Sequence, residues 1–265
     1  MIIDSHAHIG EMLNFKLSET VLLDSMERYA IDFCLVSNVE SSEVDHEQVL
    51  IPSCSQHSQL KSNERVLKFV KQHPNRLGAL IWVKPLLEAV DASLEALIEE
   101  NRAVNYGLKV HPYHSRVAFD DKRMIPYFEL ARKYQLPIVT HTANDPYSTP
   151  LHVYEVAKRY PDLNFVMVHL GLGTDHELAI KLISKLPNLY GDTTWVNAKD
   201  TLKAIKVCGV DKIMFGSDNP IDGLETLGKR IYQDYFYDLK NSLSHTDYEK
   251  LMGLNAKQIF KIKSF

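Results

Sequence analysis

The sequence predicts an α/β protein, a single (β/α)₈ TIM barrel spanning residues 1–265. Three observations point there. Short apolar runs alternate with helix-like segments along the chain, the runs number eight, and ionisable residues recur at their far ends. A chain of 265 residues is also the size of a one-domain barrel, typically about 250 residues.

The eight candidate strands are Met1–His6, Asp32–Ser37, Leu77–Val83, Tyr106–Val110, Pro137–His141, Asn164–His169, Asn188–Asp192 and Lys212–Gly216. Most are rich in Ile, Val, Leu and Phe, the composition of strands buried on both faces. Between them lie amphipathic segments. Leu86–Arg102 carries Leu87, Val90, Leu94, Leu97 and Ile98 on one face. Lys122–Gln135, Pro150–Tyr160 and His176–Leu186 are others. Pro137 and Pro161 stand just past two of these segments, where proline stops a helix. Strand–helix alternation implies parallel strands with right-handed crossovers. A doubly wound open sheet has the same alternation and stays open at this point. Glu40–Lys61, rich in Ser, Gln and His, is the longest irregular stretch and falls after the second strand, where barrel loops serve the active site.

Composition narrows the partners. Net charge is −4 with both signs interspersed, so no basic field favours nucleic acid or a membrane surface. Cys34, Cys54 and Cys208 form no CxxC pair and no disulfide framework, which suits a reducing compartment. The N-terminus lacks a basic stretch followed by a long apolar one, and no apolar run approaches the ~20 residues that span a bilayer. The expectation is a cytoplasmic protein acting on a small molecule, with homo-oligomerisation open.

Barrel enzymes keep their chemistry at the C-terminal ends of the strands. His6 and His8 end the first strand, Lys109 and His111 the fourth, His141 the fifth and His169 the sixth, and Asp218 follows the eighth. Residues i and i+2 of a strand share a face, so His6 and His8 can converge on one cation, with Asp4 expected on the same face one step deeper. Nitrogen ligands with a carboxylate suit Zn²⁺ first, and also Fe²⁺, Mn²⁺ or Ni²⁺. An isolated His-x-His is weak evidence, and a histidine at one strand end is more often an ordinary packed residue. The argument is the coincidence: polar residues terminate several apolar strands in the order one ring of strand ends requires.

These residues resemble the amidohydrolase superfamily. The resemblance rests on Asp4-Ser-His6-Ala-His8, the His141 and His169 strand ends, and Phe215-Gly-Ser-Asp218-Asn-Pro220, with Gly253 to Phe260 similar to a closing helix of the amidohydrolase-related branch. It implies a barrel with one or two divalent ions, His6, His8 and His141 as ligands, and Asp218 as ligand or proton acceptor. It implies that His169 orients water or holds a second ion. Lys109 is expected either to bridge two ions as a carbamate, to meet a substrate carboxylate, or to pair with a barrel carboxylate such as Asp4. The implied reaction is hydrolysis of an amide, ester or lactone. Non-oxidative decarboxylation, with Lys109 or Arg116 clamping a carboxylate, and a non-catalytic metal-binding barrel are the alternatives. Strand-end position nominates His111, Tyr113 and Trp195 as substrate contacts, with Trp82, Lys84, His114, Asp192 and Thr193 also near the mouth.

Overall fold

The computed structural model describes residues 1–221 and 231–263. Eight parallel strands follow one another in chain order: β1 (Ile3–Met12), β3 (Phe33–Asn38), β4 (Leu77–Trp82), β5 (Asn105–Val110), β6 (Ile138–Ala143), β7 (Phe165–Leu172), β8 (Leu189–Asp192) and β9 (Ile213–Met214). A short β2 (Phe15–Leu17) folds back antiparallel on β1. The sheet closes where the segment after β9 meets β1. Ser5 N donates to Phe215 O at 3.0 Å, Asp218 N to His6 O at 2.8 Å, and His8 N to Asn219 O at 2.7 Å. The barrel is therefore closed, and the open-sheet alternative falls.

All eight expected strands are present. The first runs past His6 to Met12, and the hairpin to β2 was not expected. Its turn uses Leu13 and Asn14 at φ 57° and 66°, a left-handed pair without the glycine that signals such turns. Helix α3 (Ala92–Glu100) starts later than the apolar pattern suggests. The reason is local: Asp91 caps it, accepting from Leu94 N at 2.8 Å. The irregular stretch is a 3₁₀ turn at Val39–Ser41 and a loop with one bridge, Val44 to Leu50, before Ser58 caps α2 (Gln59–Gln72).

Two layers of core follow from strand alternation. Phe33 and Leu35 face the barrel interior with Ile3, Leu80, Val139, Val166, Val168 and Met214, and Phe260 packs with them. Cys34 and Val36 face the helices. On β1 a bulge between Asp4 and Ala7 breaks this alternation. Ile3 is interior, Ala7 and Ile9 face outward, and the extra residue lets His6 and His8 point inward. Asp4 therefore does not share their face, which corrects the expectation from strict alternation. It pairs in register with Cys34, on the helix side.

Candidate metal centre and cavity

His6 and His8 enter the barrel mouth from β1, and each is held by its Nδ1. His8 Nδ1 lies 2.9 Å from Ser37 Oγ, and His6 Nδ1 lies 3.3 Å from Thr194 Oγ1. Tethering one ring nitrogen fixes where the other points. His8 Nε2 reaches 2.9 Å from Asp218 Oδ1, and His6 Nε2 reaches 3.5 Å from the same oxygen. Apart from these two imidazoles, this buried oxygen has no hydrogen-bond partner among the described residues. The ligand atoms of His6, His8 and Asp218 lie within 4.8 Å of one another. Two imidazole nitrogens converging on one carboxylate oxygen, all buried, form a donor set that fits a divalent cation.

His169 arrives by another route. On β7, Phe165 and Met167 face the helices, and alternation would send His169 the same way. A left-handed backbone at His169 (φ 67°) and Leu170 (φ 50°) turns it into the cavity instead. Asp218 (φ 67°) and Trp195 (φ 60°) share this conformation. Such backbone is uncommon outside glycine and gathers where function over-determines it. His169 Nδ1 lies 3.2 Å from Thr194 O, so that nitrogen is the protonated one and Nε2 is an acceptor.

His141 lines the same cavity but falls outside the tight three-residue group. Its ring stacks on His111 at 4.0 Å and 14°, and meets His169 edge-on at 4.8 Å. His111 in turn stacks on Trp82 at 5.4 Å and 9°. Lys109 is fully buried, with Nζ 2.7 Å from His6 Nε2. It does not meet Asp4, whose partners are His6 N, Ser217 and Asn219.

Burial decides the charge states. It holds the His6, His111 and His141 imidazoles well below their ordinary range, with neighbouring cationic groups adding to the effect. His169 is pushed down to about 4, again chiefly by burial. Burial works to raise the Asp218 carboxyl, but His8, His169 and Lys109 outweigh it and keep it low. Burial lowers the Lys109 ammonium, and Asp218 and Asp192 partly offset that. The centre is thus neutral imidazoles around a carboxylate, the protonation state metal ligands need.

The cavity above the centre has a volume of about 580 Å³. Trp82, Tyr113, His114 and Trp195 line it, as strand-end position suggested. Lys84, Asp192, Thr193 and Arg116 do not. Lys84 Nζ donates to Gln56 and His57 O, Thr193 Oγ1 accepts from Tyr235, and Arg116 donates to Gln48 O. Asp192 sits behind the wall, accepting from His169 N and Thr194 N. Sequence reasoning missed Phe15 and His46 at the mouth, and the tethers Ser37 and Thr194. His46 sits in the irregular stretch already suspected of serving the site. Tyr113 Oη donates to its carbonyl at 2.7 Å, and its own Nε2 lies 3.2 Å from Leu13 O. No sequence pattern marked the β2 hairpin that brings Phe15.

The profile of the amidohydrolase family matches residues 3–262. Among proteins of curated function, none matches the sequence. Similar solved structures include 2,6-dihydroxybenzoate decarboxylase from Rhizobium, at 17% identity over 98% of each chain with a TM-score of 0.73. Dihydroxybenzoic acid decarboxylase from Polaromonas sp. JS666, with bound manganese and 2-nitroresorcinol, is 17% identical over 98% of this chain and 96% of its own, with a TM-score of 0.74. 5-Carboxyvanillate decarboxylase from Sphingomonas paucimobilis is 15% identical over 99% of each chain, with a TM-score of 0.72. At these identities the likeness is one of fold. No helix among the described residues is long and apolar enough to cross a membrane.

Proposed function

The chain belongs to the amidohydrolase family, and from that premise we propose that it is a metal-dependent hydrolase that opens an amide, ester or lactone of a small molecule. The observation that carries this reading is the convergence of His6 and His8 on one Asp218 oxygen in a buried centre. His6, His8 and Asp218 would hold the ion, with His141 the fourth candidate on the cavity wall. When bound, a divalent cation supplies Lewis acidity and lowers the pKa of water toward about 7.

The protein's own groups divide the remaining work. Asp218, kept ionised, takes the proton of the attacking water. His169 presents an unprotonated Nε2 and orients that water; its bonded Nδ1 leaves it no proton to donate into the cavity. Trp82 and Trp195 flank the substrate, and His111 and Tyr113 border it. Among the described residues no Lys or Arg lines this cavity. That favours an uncharged electrophile over a carboxylate that must be clamped by a protein cation.

Decarboxylation of a flat, unsaturated acid is the second reading. The similar structures named as decarboxylases, and the aromatic walls of the cavity, favour it. Zinc is the first expectation for the ion, and manganese, bound in one of those similar structures, is the alternative. Metal analysis of protein purified without chelator, with a mass measurement for a carbamate on Lys109, tests the centre. Assaying lactone, ester and amide cleavage beside CO₂ release separates the reactions. Metal-dependent cleavage of a lactone, ester or amide without CO₂ is expected; CO₂ release from an aromatic acid with no cleavage of any lactone, ester or amide would overturn the hydrolase reading.

A further inference from the structure

A second cavity, of about 210 Å³, opens at the opposite end of the barrel, where β5 and β6 begin. Arg102, Lys261 and Lys263 line it, and among the described residues no carboxylate does. In a chain of net charge −4, three cations with no lining acid among the described residues are a local reversal of sign. Asn105, the first residue of β5, is 5% exposed and lines the same cavity. Its Oδ1 accepts from Gly107 N at 3.2 Å, which fixes the orientation of the amide. Its Nδ2 is left with no hydrogen-bond partner among the described residues. An unmet buried donor costs about 1–3 kcal/mol and calls for an explanation.

Two simpler accounts of the cations fall short. Helices α3 and α5 (Ile125–Tyr134) end at this face, and helix C-termini attract positive charge. Each contributes roughly half an elementary charge, which is less than three cations supply. Their end carbonyls also have donors already: Ile98 O accepts from Asn101 N, and Ala131 O and Arg132 O accept from the Gln135 and Leu136 amides. Local ion pairing removes only part of the excess. Arg102 has Glu99 at 3.5 Å, and among the described residues Lys261 Nζ has the neutral Gln135 Oε1 at 3.4 Å.

We propose that this cavity is a binding site for a small oxyanion, a phosphate or carboxylate group of a metabolite, surrounded by Arg102, Lys261 and Lys263 and received by Asn105 Nδ2, which a small shift of the cavity wall uncovers. It lies at the far end of the barrel from the metal centre and is independent of the reaction assigned there. The exposed cations make it weak and salt-sensitive, while the buried amide gives it a fixed point.

The test uses the full chain, with inorganic phosphate and acetate as separate probes at constant ionic strength. Binding is read by calorimetry and by thermal shift. Asn105→Asp keeps an acceptor for Gly107 N and puts an oxygen where Nδ2 stands. Lys261→Ala with Lys263→Ala removes two exposed charges and leaves the core untouched. Saturable binding of either probe is expected, weakened at least about tenfold in each variant, the loss of one charge-assisted hydrogen bond. The probe that binds more tightly identifies the group. Absence of saturable binding by both probes, or equal binding by the double lysine variant and the parent chain, would overturn the proposal.

Discussion

Individual atoms at the centre make separable demands. Asp218 is a candidate both as ligand and as proton acceptor, and its Oδ1 is the oxygen facing His6 and His8. Asp218→Asn keeps the shape and removes the negative charge. Turnover should fall at least about 100-fold, the lower range for a lost general base, while circular dichroism stays unchanged and much of the metal is retained. Full activity in that variant would remove Asp218 from the mechanism. Ser37 and Thr194 act differently, because they touch ring nitrogens that point away from the centre. Ser37→Ala and Thr194→Val should each weaken metal affinity about 10- to 100-fold, the usual cost of losing an outer partner of a ligand. Chelator competition on the purified variants reads this directly, and unchanged affinity would show that the tethers are incidental.

At the scale of elements, the joint between the first and last strands sets the site. Asp4 accepts from His6 N, Ser217 N, Ser217 Oγ and Asn219 Nδ2, so one buried carboxyl binds the bulge of β1 to the loop carrying Asp218. Asp4→Ala strands several of these donors and should cost about 3 kcal/mol, measured by urea unfolding; a loss within error would reduce Asp4 to a bystander. Gly216 guards the same joint. A Cβ there would stand 2.5 Å from Thr194 Oγ1 and 2.9 Å from Asp192 Oδ2. Gly216→Ala should therefore lower both stability and metal affinity, and a variant matching the parent in both would contradict that packing. This joint also explains what sequence reading could see. The eight strands were legible because apolar runs and exit prolines are local signals. Asp4 was placed on the wrong face because a bulge has no local signature, and strict alternation is the only rule available without it. His169 reads as a strand end, but its strand runs on to Leu172, and its inward turn depends on a left-handed backbone that residue type does not announce. The β2 hairpin escaped because Leu13 and Asn14 make a turn usually built with glycine.

For the whole molecule, a cation at the centre couples the halves of the chain. His6 and His8 come from the first strand, Asp218 from beyond the last, and their approach coincides with the seam that closes the barrel. In the unfolded chain these groups are separated by more than 200 residues, so an ion prefers the folded state almost entirely. A ligand at 100 times its dissociation constant stabilises by about 2.7 kcal/mol. For a domain of this size each kcal/mol shifts Tm by roughly 2 °C, so metal should raise it by about 5 °C. Protein stripped by chelation and then dialysed should melt that much lower. Adding back zinc or manganese should restore the difference, and the ion restoring more at equal free concentration is the tighter ligand. Asp218→Ala should abolish the response, since it removes the oxygen on which both imidazoles converge. Coincident melting of stripped and reloaded protein, with metal content verified in each, would mean that the seam holds without an ion and that His6, His8 and Asp218 meet for another reason.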